Sequence, residues 1–254
     1  MSAFSTQPLM HKFILGFVAS VVLVAHANAE SPVPHEFTAR YPVSYRGLSA
    51  GTLIFTFRRD PATGHYIYET RAEPSFLASF VVSSAARERS EMEITESGVR
   101  PLHWSLDDGK SGNKDDGDMV FDWKRNLAIG KAKGKDFQIP ISAGVQDRLS
   151  IQISVVTSLL RGQEPGTISI IDDGKVKSYS YERAGTGTAN SDQGQLDSVL
   201  YESTRENSSR MSKFWLLPKY EFAAVRAEQI RKGKVETVME LESLEMDGKK
   251  VTMK

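Results

Sequence analysis

Few residues in this sequence are of a type and spacing that could perform chemistry. Downstream of residue 29 the histidines are His35, His65 and His103. They are far apart, with none of the paired spacings by which a helix or turn presents ligands to zinc. Cysteine is absent from the 254 residues, which removes thiol nucleophiles, thiolate metal sites, disulfides and redox exchange. Asp115, Asp116 and Asp118 give the segment 107–118 the composition of a calcium loop. Its order fails, because Lys114 stands where an acid is needed and no Glu closes the loop. Gly185-Thr186-Gly187 lacks the third glycine and the βαβ setting of a nucleotide fingerprint. No G-x-S-x-G elbow occurs. The sequence therefore nominates no catalytic residue, no metal ligand and no cofactor, and a non-enzymatic role is expected.

Apolar side chains are the more suggestive feature. Phe76, Leu77, Phe80, Val81, Trp104, Phe121, Trp123, Phe214, Trp215 and Leu216 could line a cavity for an apolar molecule, or could simply form the core. Phe76, Leu77 and Phe80, at i, i+1 and i+4 after Pro74, fit one face of a short helix over 75–82. Such a helix could lie over a sheet as a lid. Phe76, Leu77, Phe80 and Trp215 are the predicted ligand contacts.

The elements that must position these residues read as short runs of alternating apolar and polar residues, with Gly, Asp, Asn or Pro in most gaps. They cover 37–45, 52–57, 65–70, 89–95, 99–106, 119–123, 127–133, 136–141, 167–171, 176–182, 195–203, 214–217, 221–229 and 235–244. Asp172-Asp173-Gly174 and Asp247-Gly248 suit tight hairpins, because glycine accepts a positive φ. Residues 147–161 break the pattern. Asp147 can cap a helix there and Gly162 can end it. Leu149, Ile153, Val156 and Leu160 share a helical face, whereas Leu149, Ile151, Ile153 and Val155 alternate as in a strand. Length and end signals favour the helix. Segments 107–118 and 184–195 are polar and glycine-rich and are expected to be mobile loops. The fold class is mainly β: an antiparallel curved sheet or open barrel with one or two short helices.

The N-terminus specifies an address. A short basic region at His11-Lys12, an uncharged apolar run over 13–25 and Ala27-Asn28-Ala29 have the order of a secretory signal peptide. Cleavage after Ala29 would leave one β-rich domain, 30–254, in the periplasm. The run is shorter than a bilayer span, and no later stretch is apolar enough to cross a membrane. Lys12 is the only Lys, Arg, Asp or Glu among residues 1–29, so the remainder carries 31 basic against 32 acidic residues. That balance argues against a general electrostatic grip on nucleic acid or anionic lipid, which needs concentrated positive charge.

Several short signatures converge on one family. Tyr41, Val43, Tyr45, Gly47, Leu48 and Gly51 come first. A strand with Tyr66 and Tyr68 follows, then Gly98 and Pro101, then Asp147-Arg148-Leu149-Ser150. Trp215, Leu216 and Pro218 precede a final valine-rich hairpin. Over about residues 37–244 the chain resembles the exported bacterial proteins of the DUF3108 family. The resemblance implies a periplasmic, mostly antiparallel β protein without an assigned activity, reminiscent of open half-barrels that carry lipids or lipoproteins. It supplies no catalytic residues. The partners it leaves open are an apolar, lipid-like molecule and another envelope protein.

Overall fold

The computed structural model describes residues 32–80, 82–111, 115–191 and 194–253, without the side chains of residues 80, 190 and 191. The signal-peptide segment lies outside the described residues. The chain begins as an up-and-down meander: β1 (Phe37–Tyr45), β2 (Leu48–Arg59), β3 (Tyr66–Pro74), β4 (Arg87–Thr95), β5 (Gly98–Asp107), β6 (Gly117–Asp122), β7 (Leu127–Ala132) and β8 (Lys135–Pro140). The helix α1 (Ser150–Leu160) leads to β9 (Gly166–Asp172), β10 (Lys175–Ser191), β11 (Gly194–Arg205), β12 (Arg210–Leu217), β13 (Ala223–Arg231) and β14 (Lys234–Glu240). The short β15 (Ser243–Met246) and β16 (Lys249–Lys250) follow. β14 pairs with β1, which joins both meanders into one antiparallel sheet running from β8 to β9. The sheet is not closed, and its two edge strands are the ones the helical connection links.

Alternation explains the curvature. Phe37, Phe57 and Tyr68 sit opposite one another across β1, β2 and β3, with Phe37 and Phe57 ring centroids 5.7 Å apart. Such cross-strand aromatic pairs are a unit of sheet stability. Their partners on the concave face are Tyr41, Phe55, Met92 and Val99, together with Leu149 and Ile153 of the helical segment. Ile151, Val155 and Leu159 face the other way, against Ile168, Ile170, Val199, Tyr201 and Leu216. The helix is thus apolar on both sides because both sides are enclosed. That is why its sequence also alternates like a strand.

The ends of α1 carry out the predicted chemistry in an offset register. The buried Asp147 Oδ1 accepts from the Leu149 and Ser150 amides, while Ser150 Oγ accepts from the Asp147 amide. This reciprocal pair is a capping box. At the other end the Gly162 and Gln163 amides donate to the carbonyls of Leu159 and Ser158, with Gly162 at φ 69°, a Schellman ending.

The open edges are bridged without a ladder. Gln146 makes a parallel bridge to Ile170 of β9. Lys133, in the β7–β8 turn, pairs with Asp173 in the β9–β10 turn. Ile171 of β9 packs with Ile141, Val145, Phe121 and Trp104.

Three expectations need correction. Residues 184–195 are not a loop: they form most of a long β10–β11 hairpin, paired from Tyr179↔Arg205 to Ser191↔Gly194 with a register shift near Gly185. Ala189 and Leu196 are buried in the core, so two apolar residues in a polar stretch decide its place. The run 221–229 starts too early, since Glu221 and Phe222 follow a 3-10 turn (Pro218–Tyr220) and β13 begins at Ala223. The helix expected over 75–82 is only a 3-10 turn, Ala78–Phe80. Residue 81 and residues 112–114, the latter within the 107–118 segment, lie outside the described residues.

Candidate functional site

Between α1 and the concave sheet lies an apolar cleft of about 130 Å³. Its floor is Gln152, Ile153, Val155 and Val156 of the helix. Phe37, Ala39, Tyr41, Phe55 and Tyr68 of β1–β3 form one wall, and Tyr181, Tyr201, Phe214 and Leu216 of β10–β12 the other. Residues 220–224 form its rim with Pro34. The helix holds the two walls apart, so the space exists because a helix cannot fill the curvature of the sheet on every side.

The polar groups of the walls are engaged with the protein. Tyr41 Oη donates to the Ala224 carbonyl at 2.9 Å, and Tyr68 Oη to Gln152 Oε1 at 3.0 Å. Tyr201 Oη donates to Glu164 Oε2 at 2.8 Å. Burial pushes all the wall phenols upward: Tyr181 and Tyr201 to about 12, with Tyr41 and Tyr68 also raised above the ordinary tyrosine value. Phenolate chemistry at neutral pH is therefore closed to them. The cleft presents apolar surface with neutral hydroxyls at its margins, a composition suited to binding.

The rim is strained and latched. Glu221 and Phe222 both adopt left-handed backbone, at φ 53° and 59°, which costs on the order of 1–3 kcal/mol for each such residue. Strain of this kind persists where the surroundings enforce it. Here the Phe222 amide donates to the Leu217 carbonyl and Glu221 holds His35. Residues 32–36 run across the mouth as a strap. The Pro32 carbonyl accepts from Arg161, the His35 ring pairs with Glu221 and stands 3.9 Å from Asp247, and the Glu36 carboxylate accepts from the Arg59 amide. The hydrogen bond that His35 donates to the Glu221 carboxylate raises the His35 pKa.

A family model described as a protein of unknown function, DUF3108, matches residues 40–240. The chain belongs to the DUF3108 family. No curated protein matches its sequence. Among solved structures, the β-barrel-like protein of the domain of unknown function DUF1849 from Brucella abortus is similar at TM-score 0.52 and 11% identity, over 84% of this chain and 98% of that one. It shows a shared fold. The Pseudomonas aeruginosa MucA/MucB complex gives TM-score 0.39 at 10% identity, over 85% of this chain and 53% of that one. A Bacteroides fragilis protein with a YmcC-like fold gives 0.32 at 11%, over 85% and 98%.

In this DUF3108 protein Phe76, Leu77 and Trp215, three of the four predicted ligand contacts, do not line the cleft. Phe76 and Leu77 stand 79% and 68% exposed in the β3–β4 connection. The Phe80 side chain lies outside the described residues. Trp215 is partly buried under the Arg226 guanidinium, 5.8 Å from its ring centroid, and does not line the cleft. Its neighbours Phe214 and Leu216 do, because alternate residues of a strand face opposite sides. Trp104 and Phe121 belong to a separate cluster, with Trp123 packed against it. The rim residues Glu221 and Phe222 were missed; the nearby signal was Pro218, which ends β12 three residues before them.

The charged groups are also dispersed. His65 pairs with Glu91, and His103 with Asp118. Asp107, Asp108 and Asp116 bring carboxylate oxygens within 4.8 Å of one another. Each accepts a backbone amide of its own loop, from Gly109, Lys110 and Asp108 respectively, so turn geometry accounts for the cluster. Among the described residues no helix is long and apolar enough to cross a membrane.

Proposed function

We propose that this protein is an exported, non-enzymatic binding protein of the cell envelope, and that its cleft takes an apolar chain. The observation that carries the reading is the cleft itself: aromatic and aliphatic walls, neutral engaged hydroxyls, and a strained rim under a peptide strap. Its size narrows the ligand. A cavity of about 150 Å³ holds a benzene-sized molecule, so the cleft fits the end of an acyl or isoprenoid chain rather than a whole lipid. A lipid-like molecule with its headgroup left outside the mouth, or a lipidated peptide segment, meets that description. The signal-like N-terminus supports a place outside the cytoplasm, where such cargo needs shielding from water.

Native mass spectrometry of protein purified from its own envelope tests the reading. A mass excess lost on denaturation, with a lipid-like species in the solvent extract, is the expected result. A bare mass, together with no displacement of an environment-sensitive fatty-acid probe by fatty acids or isoprenoids, overturns it.

A further inference from the structure

The end of the sheet opposite the strap carries a second surface, built from residues outside the cleft. Four turns lie side by side there and are laced by hydrogen bonds. The Lys232 amide of the β13–β14 turn donates to the Ser209 carbonyl of the β11–β12 turn. The Arg46 amide of the β1–β2 turn donates to the Glu236 carbonyl on β14. Ser75, opening the β3–β4 connection, donates through its amide to the Ala50 carbonyl and through Oγ to the Ser49 carbonyl.

This row presents apolar side chains to solvent. Leu48 is 68% exposed beside the Phe76-Leu77 pair, with Tyr45 and Val235 about half exposed. Monomeric proteins rarely cluster large apolar groups this way without an interaction to cover them. The same turns are basic: Arg46, Arg205, Arg210, Arg231, Lys232 and Lys234 stand against Glu206 and Glu236. Asp107, Asp108 and Asp116 lie at the far side of the β3–β4 connection, reached through the hydrogen bond from Ser83 Oγ to the Gly109 carbonyl. Charge therefore changes sign across the end of the molecule, although the chain as a whole is balanced.

We propose that this turn end docks on an anionic lipid bilayer, with Leu48, Phe76 and Leu77 entering the interface and the arginines and lysines of the neighbouring turns meeting the headgroups. Leu48 and the Phe76-Leu77 pair project from two separate connections, while Val235 borders an open depression among Arg46, Arg231, Lys232 and Lys234; projecting apolar tips flanked by cations suit a fluid interface better than a shaped protein partner. Shallow insertion of apolar side chains flanked by cations is how interfacial segments hold a membrane surface. The acidic side of the same end sets the tilt by repulsion.

The test is flotation with vesicles of phosphatidylcholine, with and without phosphatidylglycerol, using the chain from Glu30 onward, which contains every described element. Binding is expected only to the anionic vesicles and should weaken in high salt. Phe76→Ser with Leu77→Ser, and separately Arg231→Glu with Lys232→Glu, should each lower partitioning by about ten-fold; all four residues are exposed, so the fold is retained. Val156→Trp, which fills the cleft, should leave vesicle binding unchanged and so separates docking from ligand capture. Absence of binding to anionic vesicles at low salt overturns the proposal. So does binding indifferent to both pairs of substitutions, or binding lost on filling the cleft.

Discussion

At the strap end, Phe37, Tyr220 and Phe222 gather around an enclosed cleft, and charges are paired across its mouth. At the turn end, Leu48 and Phe76 stand in solvent among cations that outnumber the anions. Both ends are made by the same device, antiparallel strands joined by short connections. What differs is what lies beneath. The C-terminal end of α1 reaches the strap end, where Arg161 donates to the Pro32 and Glu96 carbonyls. At the turn end Arg148, just before α1, reaches Glu88 and Asp172, while Leu48, Phe76 and Leu77 stay largely exposed. Apolar side chains thus line a container where the helix faces them and form an exposed patch where they sit on turn tips.

The contrast should appear most strongly in stability. Phe57→Ala, at a site 1% exposed, should cost about 3–5 kcal/mol in urea denaturation. Phe76→Ala should change stability by no more than about 0.5 kcal/mol. Equal effects would mean that the turn-end patch is a second core.

Next in size is the anchor of the helix. Asp147→Ala removes the acceptor for two amides and for Ser90 Oγ, and should cost about 2 kcal/mol while loosening the cleft floor. Asp147→Asn keeps one acceptor oxygen and should cost less. Burial raises the pKa of Asp147 in the fold. A raised carboxyl contributes its stability below the unfolded pKa and loses it as pH rises through the folded value. Wild type should therefore gain on Asp147→Asn toward acid pH and lose ground toward neutrality. The opposite trend in paired denaturation curves would show that the charged form is the one the fold favours.

Val156→Trp should weaken a fatty-acid probe by about ten-fold, with Tm nearly unchanged because Val156 is only partly buried. Unaltered affinity would place the ligand elsewhere. The smallest effect belongs to the latch. His35 is raised by Glu221, with Asp247 adding to the shift, so the strap is held below the ordinary histidine pKa and released as pH rises through the raised one. Hydrogen exchange of the Val33, His35 and Glu36 amides, corrected for intrinsic rates, should quicken by a few-fold across that window. His35→Ala should remove the pH dependence; a dependence that survives would exclude the latch.

Much of the fold was legible. Alternation marked most strands. Asp173-Gly174 and Asp247-Gly248 take the two successive positive φ values of tight hairpins, and Asp147 with Gly162 bounded the helix. The candidate site was barely legible. Phe76, Leu77 and Phe80 have a helical spacing, but composition carries no information about which side of a sheet a connection visits. Trp215 has the right chemistry and the wrong parity. Its neighbours on the same strand line the cleft.

The sequence by itself determined the local events: period-two strands, glycine turns, the capping box, and an uncharged apolar run at the N-terminus. Each depends on residues a few positions apart, whose energies act over that distance. Tertiary structure alone decided that β14 meets β1, that α1 fills one end of the curvature, and that Glu221 faces His35 across 186 positions. Those outcomes depend on how volume is shared among distant side chains, and no local pattern records it.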